Sequence, residues 1–230
     1  MGVTLGIECS QRQGSVAVRG SDGVVEMTAL ESASGIDDQL MIVIDQLVRD
    51  VGARPQDLSL IGVSLGPGGF TGLRISMATA KVLAKTCQCA LVGVPTAAVA
   101  SQTWRQQTPT QADAKIGVAL ATKRCETWFT VISDDGPIGA GCLVDQQGLE
   151  DMMQANRPSI VLADATFPDE LRQVVEQSGG TVHPLQCDSS ACLVLAEVSW
   201  RQGELVDPEA LIPLYPREPE AVRVFQGPRG

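Results

Sequence analysis

The chain has 230 residues, 44% of them hydrophobic and 19% charged, with a formal net charge of −10. A chain this long buries about 70% of the surface its unfolded form exposes, so it needs no disulfide or metal staple, and its composition excludes disorder, collagen and coiled coil. The acidic balance, concentrated behind residue 100, disfavours autonomous nucleic-acid binding and attachment to acidic membranes.

The one histidine, His183, excludes any centre built on two histidines. Seven cysteines are scattered along the chain. With an odd count, no leader-like segment after Met1 and no apolar run long enough for a membrane span, the expectation is a reducing cytoplasm with free thiols. Cys87-x-Cys89 and Cys187-x4-Cys192 look like fragments of metal sites, but neither spacing matches a zinc ribbon, and core thiols are the better reading.

In chain order, Val3 to Cys9 and Ser15 to Arg19 read as strands, Ser21-Asp22-Gly23 as a hairpin turn and Val24 to Leu30 as a third strand. Ile36 to Val51 carries Leu40, Ile44, Leu47, Val48 and Val51 at helical spacing, with Asp37 and Asp38 near the positive end of the helix dipole and Gly52 as the stop. Leu58 to Leu65 is apolar enough for a strand covered on both faces. A glycine loop, a helix from Phe70 to Thr86 and a strand from Leu91 to Val94 follow. Thr96 is expected to cap the next helix, which runs to Gln106.

The opening plan then returns. Ile116 to Ala121 and Thr127 to Ile132 are strands and Asp134-Asp135-Gly136 a turn, with Leu5 and Val118 at the same place in each copy. Helices over Gly148 to Asn156, Pro168 to Ser178 and Ser189 to Gln202 alternate with strands at Ser159 to Ala163 and Thr181 to Leu185. Each half is a meander followed by helix and strand alternation, which predicts an α/β protein of two lobes, each a mixed sheet with flanking helices. The expected division is 1–108, 109–222 and a tail at 223–230, with a linker at Thr108-Pro109-Thr110. Trp104, Trp128 and Trp200, spread singly with few lysines between them, read as packing residues.

Ser64 to Arg74 is the most informative stretch. A buried strand enters Gly66-Pro67-Gly68-Gly69 and then a helix, a geometry that can hold an anion. Thr71-Gly72-Leu73 stands where a Walker A loop needs Gly-Lys-Ser/Thr, and Thr71 where a dinucleotide fingerprint needs glycine. A sharp turn with close helix packing is therefore the reading ahead of bound phosphate. Along the helix, Gly72, Ser76, Thr79, Ala80 and Ala84 recur at three- and four-residue steps. Ile75, Val82 and Leu83 can serve the sheet, which leaves the small face for a neighbouring helix.

Leu5-Gly6-Ile7-Glu8-Cys9-Ser10, the nonapeptide Gly66 to Arg74 and Pro213-Leu214-Tyr215-Pro216-Arg217 resemble the first strand, the G-P-G-S-F-T-G-[LV]-R signature and the C-terminal P-x-Y-x-R of the TsaB (YeaZ) family, with one substitution, at Gly69. The resemblance implies two duplicated actin-like ATPase (ribonuclease H-like) lobes. It also implies a non-catalytic scaffold for a TsaD-like catalytic subunit that makes N6-threonylcarbamoyladenosine (t6A) at position 37 of tRNAs reading ANN codons. The expectations that follow are a TsaE-like ATPase in the larger complex, a homodimer when the chain is alone, tRNA binding only through the complex, and no metal or cofactor. The family's helix bundle maps here onto Leu40, Ile44, Phe70, Thr71, Gly72, Arg74, Ser76, Thr79, Ala80 and Leu83.

The chain departs from the family pattern at Glu8-Cys9-Ser10 (Asp-Thr-Ser or Asp-Thr-Ala), at Ile36-Asp37-Asp38 (His-Ser or His-Thr) and at Thr122, where an acid is usual. An active actin-like kinase would need Glu8 to stand in for the aspartate that organises Mg²⁺ and phosphate. A glycoprotease would have to rely on His183 reaching a cysteine through the fold.

Overall fold

The computed structural model describes residues 2–30, 36–111 and 113–217. The first lobe is built from β1 (Val3–Glu8), β2 (Ser15–Arg19), β3 (Val25–Ala29), α1 (Ile36–Asp50), β4 (Leu58–Ser64), α2 (Phe70–Cys87), β5 (Ala90–Val94) and α3 (Thr96–Gln107). The second follows with β6 (Ile116–Lys123), β7 (Glu126–Ser133), β8 (Gly136–Val144), α4 (Gln146–Asn156), β9 (Ile160–Ala163), α5 (Asp169–Gln177), β10 (Thr181–Pro184) and α6 (Ser189–Arg201).

The sheet orders are β3-β2-β1-β4-β5 and β10-β9-β6-β7-β8. Read from the meander edge, the second is the first repeated. Leu5 pairs with Val18 on the antiparallel side and Ile61 on the parallel side, and Val118 with Thr130 and Leu162. The two residues matched in sequence thus hold the same place in the central strand of each sheet. Asp22 makes the expected turn, its carboxylate accepting the Val24 N–H at 3.0 Å, and Gly52 ends α1 at φ +69.

One face of the first sheet is covered by α1, on β2 and β3, and by α2, on β4, β5 and β1. Leu5, Ile7, Leu40, Ile44, Leu73 and Met77 form the core between them. The opposite face is covered chiefly by α6, from the other half, which crosses β1, β2, β4 and β5, with Val99 of α3 packing beside it on Leu60, Val92 and Val94. Two glycines admit it: a Cβ on Gly6 would lie 2.5 Å from the Ser189 carbonyl oxygen, and one on Gly62 2.5 Å from the Ala196 Cβ. In return α3 lies on the second sheet, Ala97 and Ala100 packing with Ile116, Trp128 and Leu162, while α4 and α5 cover the other side. The two exchanged helices touch each other.

Two expectations are corrected. Thr96 does not cap α3: Pro95 is the cap, and Thr96 is the first helical residue with its hydroxyl buried. Its N–H instead donates to the Gly66 carbonyl at 3.0 Å, tying α3 to the glycine loop. The small face of α2 is not left over for a neighbour, because Gly72, Ser76, Ala80 and Ala84 are buried within the lobe. All seven cysteines are free thiols. Among the described residues no helix is long and apolar enough to cross a membrane. The tail at 223–230 and the side chains of Asp37 and Asp38 lie outside the described residues.

Candidate functional site

The residues expected to face a partner divide into two sets. Leu40, Ile44, Gly72, Ser76, Ala80 and Leu83 are buried in the first lobe, against its own sheet. They cannot form a docking surface without unfolding it, which corrects that part of the reading. Phe70, Thr71 and Arg74 are exposed and Thr79 is half-buried. What the outer faces of these adjoining helices present instead is Ile42 at 69% exposure, Val82 at 63%, Met41 at 50% and Phe70 at 47%. Sequence reasoning missed Met41, Ile42 and Val82. The available signal was that two adjacent apolar residues, Met41 and Ile42, fall outside the Leu40–Ile44–Leu47 stripe.

At the N-terminal end of α2 the face is stiffened. The Arg74 guanidinium lies 3.7 Å from the centroid of the Phe70 ring, and its Nε donates to the Tyr215 hydroxyl at 3.1 Å. Phe70 and Tyr215 sit with ring centroids 5.4 Å apart. A cation held over one ring and bonded to the next fixes three side chains that would otherwise move freely.

The glycine loop serves the interior. Gly66 has φ +99, and a Cβ there would lie 2.9 Å from both the Leu214 carbonyl oxygen and a Leu73 methyl. A Cβ on Gly68 would lie 2.2 Å from the Ser10 carbonyl oxygen, to which the Gly69 N–H donates at 2.7 Å. Pro67 follows Gly66 through a cis bond. The loop therefore presses on the turn between β1 and β2, as a sharp packed turn should.

Between the lobes lies a groove of about 500 Å³ bordered by Gln11, Arg12, Ser15, Asp164 and Asp188. Its carboxylates are committed to the protein's own backbone. Asp164 accepts the N–H groups of Thr122 and Thr166 and the Thr166 hydroxyl, and Asp188 caps α6 through the Ser190 N–H at 2.7 Å. Glu8 is fully buried, one oxygen accepting the Ser10 N–H at 2.6 Å. Burial pushes its pKa up, and hydrogen bonds from Ser10 and Ser64 offset only part of that rise. These residues do not fit a Mg²⁺-nucleotide site of the kinase type, which needs solvent-facing carboxylates free to take a cation.

His183 packs on Trp104, ring centroids 4.5 Å apart, and bonds the Thr181 hydroxyl at 3.0 Å; neither contact is with a cysteine. Burial, and then the proximity of Glu8, pushes the Cys9 thiol up to about 12 and raises those of Cys187 and Cys192 well above the usual range, the opposite of an activated nucleophile. Among the described residues no cluster of three His, Cys, Asp or Glu side chains could hold a metal ion.

Residues 31–126 match the model of a family described as TsaD, tRNA N6-adenosine threonylcarbamoyltransferase. The chain is 26% identical over 188 residues to the tRNA threonylcarbamoyladenosine biosynthesis protein TsaB of Bacillus subtilis, covering 79% of each. The structure of YeaZ from Pseudomonas aeruginosa superposes with a TM-score of 0.76 at 18% identity, over 94% of this chain and 100% of that one. A second Pseudomonas aeruginosa protein, described as similar to the peptidase YeaZ, superposes at 0.78 with 20% identity and the same coverage. The chain is similar to TsaB and YeaZ proteins in sequence and in fold. Its two lobes share the fold of those two structures, and the glycine loop, α1 and α2 lie inside the matched segment.

Proposed function

We propose that this chain is a non-catalytic subunit of a cytoplasmic complex that makes N6-threonylcarbamoyladenosine at position 37 of tRNA, and that it binds and supports a TsaD-like catalytic subunit as a heterodimer. The observation that carries this reading is the outer face of α1 and α2, where Met41, Ile42, Phe70 and Val82 stand in water on a lobe whose core is already closed. Large exposed apolar side chains on adjoining helices are what a helix-packed interface requires. The relative named as a threonylcarbamoyladenosine biosynthesis protein supplies the chemistry of the partner. Phe70, Thr71, Arg74 and Thr79 join the surface at its rim. In the absence of the partner the same face pairs two copies, a TsaE-like ATPase binds the assembled pair, and tRNA, repelled by the net charge of −10, is held through the complex alone.

The test is co-expression with a TsaD-like protein of the native host, read by size exclusion. The wild-type pair co-elutes, and Ile42→Asp and Val82→Asp elute as folded single subunits. Co-elution of both variants would count against the docking face. Calorimetry with Mg-ATP separates the kinase reading: nanomolar affinity in the isolated chain would overturn the scaffold assignment.

A further inference from the structure

After α6 the chain remains on the first lobe. The Val206 N–H donates to the Leu91 carbonyl at 3.0 Å, Lys85 pairs with Glu209, and Leu211 is buried in the first core. The Leu214 N–H donates to the Leu65 carbonyl at 2.8 Å, and Tyr215 accepts from Arg74. Two residues further on the chain is bonded to the other lobe. Arg217 Nη1 donates to the Ala121 carbonyl at 2.6 Å and Nη2 to the Glu126 carbonyl at 3.2 Å, with the Glu126 carboxylate 3.5 Å away.

The receiving turn is shaped for this contact. The β6–β7 register shifts between Leu120 and Lys123, and Ala121 stands at φ +52, a conformation that a residue with a Cβ takes only where its surroundings hold it. Both carbonyls fall to a single planar fork of donors, a geometry that lysine cannot reproduce. Between Leu214 and Arg217 the chain can extend by no more than about 11 Å, so the segment has little slack.

We propose that Leu211 to Arg217 is an inter-lobe brace, with Arg217 as the positioning residue that fixes the second lobe's first hairpin relative to the glycine loop. The brace limits rotation about the contact between α3 and α6, and it does not depend on the docking partner.

Residual dipolar couplings of the isotope-labelled full chain test it. In the wild type one alignment tensor fits both lobes. In Arg217→Ala each lobe still fits its own tensor, but the two differ in orientation or magnitude, and amide exchange at residues 120–127 rises at least about tenfold. Arg217→Lys follows the alanine variant. A single common tensor in Arg217→Ala overturns the brace. Loss of chemical-shift dispersion within either lobe also overturns it, by making Arg217 a folding residue, and wild-type behaviour of Arg217→Lys overturns the role of the fork.

Discussion

Gly68 and Gly69 are neighbours with opposite requirements. A methyl on Gly68 would sit 2.2 Å from a backbone oxygen that cannot move aside, that of Ser10, whereas one on Gly69 meets the same atom at 3.7 Å, ordinary contact. Gly68→Ala is therefore expected to lower stability by about 2–3 kcal/mol, as overpacking against a backbone does. Gly69→Ser, which restores the family's usual residue at the N-cap of α2, should be neutral or stabilising by a few tenths of a kcal/mol. Urea midpoints of the two variants check both, and equal losses would refute this account of the loop. Glu8 gives a second residue-scale expectation. Its folded pKa lies above the ordinary 4.5 because of burial, so the folded state retains a proton that the unfolded chain gives up. Stability is then fully present below about pH 4.5 and falls as pH rises towards the folded pKa, with a slope of up to ~1.4 kcal/mol per unit. Glu8→Gln should flatten that slope. Parallel stability profiles for wild type and variant between pH 5 and 8 would show that Glu8 is not the group responsible.

At the level of elements, α2 shows why its face was not legible. Leu73, Ser76, Met77, Ala80, Leu83 and Ala84 form one stripe at three- and four-residue steps and all are buried. Val82 lies on the other side, where it is exposed, and Ile75, seven residues before it, is partly buried against the first core. Apolar residues on both sides of a helix leave periodicity with two solutions, and small residues signal close approach without saying to what. Here the close neighbour is the lobe's own sheet. Elements with one solution were readable: Leu40, Ile44, Leu47 and Val48 fix the inner face of α1, and Asp22-Gly23 fixes the first hairpin. A tryptophan at Ser76 or Ala80 should thus unfold the first lobe, costing more than about 3 kcal/mol, and would not serve as a clean interface variant. Ile42→Asp and Val82→Asp, on exposed positions, should change stability by no more than about 0.5 kcal/mol while abolishing the complex. Thermal melts beside size exclusion distinguish these outcomes, and a folded Ser76→Trp chain would restore the small face as a candidate.

Over the whole molecule, the linear repeat understates how the halves depend on each other. The duplication is visible in Leu5 and Val118 and in the paired turns, but no local pattern tells that α6 belongs to the first sheet and α3 to the second. That exchange is recorded only where glycines in one half leave room for a helix of the other, Gly6 for Ser189 and Gly62 for Ala196. A division near residue 108 therefore separates the sheets without separating the folding units. Residues 1–108 alone would leave Leu60, Val92 and Val94 without the Ala191, Cys192 and Ala196 that cover them, and would lack Leu211 from the first core. Uncovering one face of a sheet costs a small domain most of its margin. The expected result is that a 1–108 fragment binds a hydrophobic dye and melts without a cooperative transition, and that a separately supplied peptide of residues 188–215 restores both dispersion and cooperativity. The intact chain should unfold in one step by fluorescence and circular dichroism. Independent, cooperative folding of the 1–108 fragment would mean that the exchanged helix decorates a lobe that is already complete, and the coupling between the halves would then have to come from the C-terminal brace alone.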